Sequence, residues 1–414
     1  MKKYMTLLRL VITGIAVLAL GALLGWYYFL HGAQQQVTTD SAARSFGSGA
    51  PSFEGTAGST YQNAASTLGE SVGGVSTSTP AARLWEVSQV PVAGLGWQNG
   101  SVPTLRFVER SSGNVLEATP SDHGIMRLTD TLRPEIYAAL ITLDGSVLER
   151  SVDDSGTLIT FAGNVATTTE TSATSSPDML QGVELPQGIR TIAADPLSDT
   201  LYYAIAQPSG ISLVSTNWAG QKEKQLYSSP LTQWRLITDG DGGVVLLQAP
   251  ADGVEGYAYR LQKNGSLSLV AQAPGLTLLP DASTTALLFG TSQGGTLSLF
   301  TQSSASASPQ RLSIQTVADK CAWGPGKSLT AYCGVPTQTG SQQFLDDWYK
   351  GIVHTSDTFY EVDAQAASTT LLYDPTGDTQ NGLDVEDPMV DPSGQYIAFT
   401  NAADQSLWIL RIAP

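Results

Sequence analysis

Between residues 391 and 410 the chain reads Asp391-Pro392-Ser393-Gly394-Gln395, then Tyr396-Ile397-Ala398-Phe399-Thr400, then Asn401-Ala402-Ala403-Asp404-Gln405, and then Leu407-Trp408-Ile409-Leu410. Proline fixes one backbone angle and glycine accepts a left-handed one, so the first block is a tight turn. An apolar, β-branched run follows, a second polar turn reverses the chain, and another apolar run closes the unit. The pattern predicts strands of an antiparallel meander.

Weaker copies recur upstream. The first turn returns as Gly324-Pro325-Gly326-Lys327, Pro280-Asp281-Ala282-Ser283, Asp239-Gly240-Asp241-Gly242-Gly243, Asp195-Pro196-Leu197-Ser198-Asp199, Leu143-Asp144-Gly145-Ser146 and Gln98-Asn99-Gly100, each ahead of an apolar run. The second returns as Ser112-Gly113-Asn114, Asp154-Ser155-Gly156, Pro208-Ser209-Gly210 and Gln293-Gly294-Gly295. Copies lie roughly 40 to 50 residues apart, the period of a four-stranded propeller blade. Only the interval between the sixth and seventh copies is much longer, which marks an insertion.

From Val390 to Phe399 the pattern resembles the WD-repeat-like blade of TolB-type β-propellers, in which an aspartate, proline or glycine turn precedes a strand like Tyr396-Ile397-Ala398-Phe399. The resemblance implies an all-β fold, a single β-propeller of about seven four-stranded blades over residues 83–414. The repeat of that family carries structure rather than catalysis, so no functional residue comes with it. A stack of unrelated β-sandwiches is the structural alternative, and it would not produce a regular period.

Charged residues are 14% of the 414, and the formal net charge is −16 with a pI near 4.5. Such a surface repels phosphate backbones, which disfavours a nucleic-acid partner. Lys2, Lys3 and Arg9 precede a run from Leu10 to Leu30 that carries no charge and ends in Trp26-Tyr27-Tyr28-Phe29. About 20 apolar residues span a bilayer as a helix, and aromatic rings favour its boundary. The expectation is a cytoplasmic segment over 1–9 and a single-pass transmembrane helix over 10–30 that ties the protein to the cell membrane. A Ser/Thr/Gly-rich disordered linker over 31–82 would follow, with the propeller outside the cytoplasm at the cell envelope. A cleaved signal peptide is the competing reading, but its apolar region is shorter and His31-Gly32-Ala33 fits a cleavage site poorly.

Leu84-Trp85-Glu86-Val87 is the expected opening strand, closing the ring against Leu407 to Ile412. Two stretches break the repeat, a Thr/Ser-rich surface loop over 166–181 and an insertion over 337–358.

No catalytic residue, cofactor or metal site is assigned. Of the histidines, only His123 and His354 lie in the repeat region, and a histidine-based triad would need one of them. Ser151 to Thr157 has the letters of an aspartate box but one residue too many, and reads as a hairpin turn. Asp374, Asp378, Asn381, Asp384, Glu386 and Asp387 crowd into one loop; calcium favours such oxygens, but without a calcium-loop spacing they read as turn formers in a solvated acidic loop. Cys321 and Cys333, on neighbouring strands, are a disulfide candidate outside the cytoplasm, or else two small buried side chains. In the insertion, Trp348 and Tyr349 are candidate binding anchors, with Asp346, Asp347 and Lys350 as their polar rim. The alternative is a covering loop that packs its aromatics onto the ring.

Two functions are consistent with this sequence. The first is a non-enzymatic scaffold at the cell envelope that binds a protein or glycan partner. The second is a carbohydrate-active hydrolase or lyase using carboxylates at the propeller channel. They separate on whether the channel mouth holds convergent carboxylates flanked by aromatics. The charge bias around the apolar run makes a direct prediction: the protein fractionates with membranes, and protease added to intact cells degrades the propeller or releases it. Full protection overturns that topology.

Overall fold

A computed structural model describes residues 82–130, 132–165, 179–196, 198–239, 242–379 and 381–413. The proposed cytoplasmic segment and transmembrane run, and the linker up to residue 81, lie outside them. Among the described residues no helix is long and apolar enough to cross a membrane.

The strands form seven four-stranded antiparallel sheets. Their innermost strands are Val92–Gln98, Ile136–Ile141, Ile189–Ala194, Trp234–Thr238, Thr277–Pro280, Cys321–Trp323 and Val385–Val390, in blades 1 to 7. In the last sheet Tyr396–Asn401 and Leu407–Arg411 follow the innermost strand, and the outermost place is taken by Leu84–Ser88 from the start of the repeat region. There Leu84 pairs with Leu410, Trp85 with Ile409 and Glu86 with Trp408, the closure expected from sequence. The protein is a seven-bladed β-propeller.

Each apolar cluster of the ring lies between two blades. The motif strand explains why: Ile397 and Phe399 point into the cluster shared with blade 6, while Ala398 points into the one shared with blade 1. In blade 4, Val244 and Leu246 face blade 3 while Val245 and Leu247 face blade 5. A strand buried on both sides reads as a continuous apolar run rather than an alternation, which is how these runs appear in the sequence.

All seven aligned turns join the innermost strand to the second strand of a blade, so they share one face of the ring. Their aspartates act locally. The Asp391 carboxylate accepts from the backbone N–H groups of Ser393, Gln395 and Tyr396, and Asp239 from that of Gly243, while Gly394 holds φ of 70° in the same turn. The second turns lie on the opposite face, and so does the late insertion, between Thr330–Pro336 and Asp357–Asp363 of blade 6. The chain enters the ring at Ala82, on the face of the aspartate turns.

Both insertion boundaries shift. Leu180 and Gln181 belong to the strand Leu180–Glu184, paired with Val165 and Asn164, because Leu180 is buried against blade 1. The first loop is thus shorter than 166–181, and its residues 166–178 lie outside the described set. Asp357 and Thr358 pair with Pro336 and Val335, so the second insertion ends at residue 356. Asp153 accepts from the N–H groups of Ser155 and Thr157, an ordinary hairpin turn.

Cys321 and Cys333 face each other on adjacent strands of blade 6 and are disulfide-bonded, buried in the cluster shared with blade 5. Thiol labelling under denaturing, non-reducing conditions is expected to find no free cysteine. Replacing both by alanine is expected to lower stability by about 2 to 3 kcal/mol, since the bond closes a short loop. Labelling of both thiols in the untreated protein overturns the bridge.

Candidate functional site

The insertion is too long for a hairpin turn, and its residues at helical spacing are apolar. Phe344–Tyr349 forms a short helix whose Phe344, Leu345 and Trp348 are buried with Leu297 of blade 5 and Val317. The helix crosses toward blade 4, where Asp346 accepts from the Asp252 N–H at 2.9 Å. Gly295 of blade 5 leaves the room needed, since a Cβ there would sit 2.2 Å from the Ser341 carbonyl oxygen.

Beneath the helix lies a buried charge cluster. Lys320, immediately before the innermost strand of blade 6, is fully buried and donates to Asp357 at 2.6 Å, to Asp384, to Thr355 Oγ1 at 3.0 Å and to the Val385 carbonyl at 3.2 Å. Asp384 also accepts from Trp348 Nε1 at 2.9 Å and from Thr355 Oγ1 at 2.8 Å, and its other oxygen is 3.1 Å from His354 Nδ1. The Lys320 ammonium lies 4.8 Å from the centre of the Trp348 ring. Burial alone would push the lysine pKa down, but Asp357 and Asp384 outweigh it and hold Lys320 charged. Burial would likewise raise Asp384, and the ammonium beside it holds it below the ordinary carboxylate value.

Toward the axis a second cluster spans the ring. Arg235, on the innermost strand of blade 4, pairs with Asp319 of blade 6, and its Nη1 lies 3.0 Å from the Tyr349 hydroxyl, which donates to Asp319 Oδ2 at 2.9 Å. Burial would lower the arginine pKa, but Asp319 and the tyrosine raise it; burial and Asp319 keep Tyr349 protonated. The innermost strand of blade 7 enters this group through a bulge, where register shifts between Glu386 and Met389 and Asp387 adopts φ of 48°. Asp387 is exposed at its surface and feels the charges of Asp319 of blade 6 and Arg235 of blade 4. Desolvation by the surrounding protein atoms, despite its exposed surface, and then Asp319 push it up to about 7, against the pull of Arg235. Glu386 is pushed well above its ordinary value by burial, Asp387 and Asp384.

The proposed anchors therefore point inward. Trp348 is 7% exposed and its N–H is committed to Asp384; the Tyr349 hydroxyl is committed to Asp319 and Arg235. Asp346 holds blade 4, Asp347 accepts from Ser341 Oγ at 2.6 Å, and Lys350 is exposed. The aromatics fix a lid to the ring rather than standing as free contact surface. The acidic loop divides as well: Asp374 and Asp378 are exposed, but Asp384 and Glu386 are buried, contrary to a wholly solvated loop. Lys320 pairs with Asp384, and Lys320 and Arg110 attract Glu386. Sequence offered a clue. In a chain with 14% charged residues, a cation at the edge of an apolar inner strand, as in Asp319-Lys320-Cys321 or Trp234-Arg235-Leu236, is unusual.

Gly290-Thr291-Ser292-Gln293-Gly294 has the spacing of a nucleophile elbow. Ser292 is fully buried in a blade strand and its hydroxyl is bonded to Asp252, so it lacks the exposed strand-to-helix turn such a nucleophile needs. Among the described residues no group of three or more His, Cys, Asp or Glu side chains could hold a metal ion.

No family model matches the chain, and no curated protein matches it. Among solved structures it is similar to a selenomethionine-substituted virginiamycin B lyase from Staphylococcus aureus, at 10% identity and a TM-score of 0.47, over 80% of this chain and 99% of that one. It is also similar to a chain of a mitotic checkpoint complex (11%, TM-score 0.45, covering 85% and 100%) and to the β-propeller domain of Cps50 (Swd1) from Myceliophteria thermophila (10%, TM-score 0.46, covering 75% and 94%).

Lys320→Met keeps the length of the side chain and leaves two carboxyls buried without their cation. The expected loss is about 3 to 5 kcal/mol. The deficit against the unmodified protein should narrow as pH falls and those carboxyls take up protons. An unchanged melting temperature at neutral pH overturns the role given to Lys320.

Proposed function

We propose that the protein is a non-enzymatic binding module, carried outside the cytoplasm on an N-terminal membrane anchor, that engages a protein partner through the face bearing the insertion. The observation that carries the reading is a groove on that face in which exposed apolar side chains stand among Thr232, Gln233, Gln248 and Glu255. The groove, of about 350 Å³ in blade 4, is lined also by Pro230, Leu231, Ala249 and Val254, and Leu231 and Val254 are 51% and 59% exposed. Ile352 of the insertion, on the same face, is 66% exposed. Apolar side chains rimmed by polar ones are the usual composition of a protein contact surface. The loop that carries Val254 is fixed to the insertion through Asp252 and Asp346, so the groove is backed by a braced surface.

Two further observations support the compartment and the orientation. The Cys321–Cys333 disulfide suits an oxidising environment. The chain enters the ring on the opposite face, so a tether from the membrane leaves the insertion face away from its point of attachment.

A second reading, the carbohydrate-active hydrolase or lyase, is favoured by one observation: Asp319, bonded to Tyr349, lies within electrostatic reach of Asp387, which adjoins Glu386, and both Glu386 and Asp387 retain protons more strongly than ordinary carboxyls. Against it, the Trp348 ring is 7% exposed, lies under Lys320 and packs on Tyr349, whose ring in turn lies under Arg235, so the faces a sugar would stack on are occupied. The same occupation weighs against a glycan partner.

Surface crosslinking on intact cells tests the first reading. The triple variant Leu231→Glu, Val254→Glu, Ile352→Glu is expected to lose the crosslinked partner while its melting temperature is unchanged. Val102→Glu, an exposed position on the other face, is expected to keep it. A partner retained by the triple variant and lost from Val102→Glu overturns the choice of face, and polysaccharide cleavage abolished by Asp387→Asn replaces the reading with the second.

A further inference from the structure

We propose that the seam where the ring closes holds a binding site for a phosphate group, anchored on Arg411. The site lies on the face of the aspartate turns, opposite the partner face, and stands independently of it.

A cavity of about 210 Å³ opens beside the closing strand, and Arg83, Trp85, Ser121, His123, Tyr396 and Arg411 line it. They come from both ends of the repeat region and from blade 1. Arg83 and Arg411 meet where the strands Leu84–Ser88 and Leu407–Arg411 pair: the Arg411 N–H donates to the Arg83 carbonyl at 2.8 Å, and Arg83 Nε to the Arg411 carbonyl at 3.0 Å. His123 belongs to the turn between Val115–Thr119 and Gly124–Arg127, the two outer strands of blade 1, and adopts φ of 57° there. Its ring stacks on that of Trp85 with centres 4.4 Å apart, so one wall of the cavity joins blade 1 to the outermost strand of blade 7.

Charge singles this cavity out. In a chain of net charge −16, no Asp or Glu lines it. Asp122, beside His123, is exposed and accepts from the Gly124 N–H within its own turn. Arg83 is oriented by blade 6, its guanidinium 5.3 Å from the centre of the Tyr373 ring, whose hydroxyl donates to Asp378. Arg411 is not held in this way: among the described residues its Nε is buried without a hydrogen-bond partner. A buried donor without an acceptor is costly, and a guanidinium keeps its charge throughout the working pH range. An anion in the cavity supplies both the acceptor and the counter-charge.

Size and polarity select the group. Sites that enclose a drug-sized ligand run to about 300 to 1,000 Å³, so this cavity suits one compact anion. Besides Arg411 it is lined by the hydroxyl-bearing Ser121 and Tyr396 and by the imidazole of His123. Polar groups from three strands and a turn suit the tetrahedral oxygens of phosphate better than the two coplanar oxygens of a carboxylate, which a single arginine satisfies. The overall negative charge repels anions from afar, but salt screens it beyond about 8 to 10 Å and leaves the contacts within the cavity to act. Free phosphate and a phospholipid headgroup carry the same group. The headgroup as source rests on the membrane-anchor reading, since Ala82, where the chain enters the ring, also lines the cavity.

The test is titration calorimetry on the full-length protein in neutral detergent, with inorganic phosphate, glycerophosphoglycerol and acetate as probes. Saturable phosphate binding that raises the melting temperature is expected, because the ligand ties the end of the repeat region to blade 1. Arg411→Gln should weaken it at least tenfold, whereas Arg127→Gln, at an exposed arginine of blade 1 outside the cavity, should not change it. Glycerophosphoglycerol binding at least tenfold tighter than phosphate assigns the site to a lipid headgroup; phosphate binding as tightly or tighter assigns it to the free anion. Absence of saturable phosphate binding, acetate binding as tightly as phosphate, or undiminished binding by Arg411→Gln overturns the proposal. Should Arg411→Gln fail to fold, His123→Gly takes its place, since glycine accepts the left-handed backbone of that turn, and undiminished binding by it counts in the same way. Leu231→Glu, Val254→Glu, Ile352→Glu is expected to leave phosphate binding intact, so the two sites can fail independently.

Discussion

The structure depends on one constraint: no blade can bury both of its faces alone. Each inner strand carries apolar side chains on its two sides, and each side is covered only by the neighbouring sheet, as Val244 and Leu246 are by blade 3 and Val245 and Leu247 by blade 5. An open row would leave two apolar sheet faces in water, so the ring must close. Closure is made by main-chain pairing of Leu84–Ser88 with Leu407–Arg411, backed by the cluster in which Val87, Leu95, Trp97, Leu407 and Ile409 meet. The two distant ends of the repeat region hold each other, and a strand lost from either end exposes the flank of blade 7.

Given that constraint, the two faces diverge. The aspartate turns on one face are spent on their own geometry, since Asp391 and Asp239 satisfy the backbone N–H groups of the turns they begin. They recur because every blade needs the same reversal. The other face is free of that demand, and the ring departs there from its repeat. The helix Phe344–Tyr349 replaces a hairpin turn, and Asp252 bridges toward it from blade 4.

This division explains how much of the molecule was legible in its sequence. Turn chemistry and strand patterning are local, so the blade period and the pairing of Cys321 with Cys333 follow from residues close together in the chain, and the closing strand follows from the ring that the period implies. The end of the first loop was misplaced because Leu180 belongs to a strand by virtue of burial against blade 1, a contact invisible to local composition. The channel cluster was read in pieces. Asp384, Glu386 and Asp387 looked like part of an acidic turn, and Trp348 and Tyr349 looked like surface anchors, because Lys320 and Arg235, the cations that turn them inward, lie some 30 to 150 residues away. Long-range electrostatics leave no periodic trace in a sequence.

The insertion is also fixed by charge more than by its own helix. Six residues are too few to hold a helix in water, and Gln343 at its start supplies no side-chain cap. Its order comes from Phe344, Leu345 and Trp348 beneath it and from the carboxylates that hold Trp348 and Tyr349 by their polar tips. Asp384 is in turn held below the ordinary carboxylate value by the Lys320 ammonium, and Asp319 is paired with Arg235. The lid and the electrostatics of the channel are therefore one device. A change of charge at Asp319 or Arg235 acts on the same contacts that hold Tyr349, and so on the seating of the insertion.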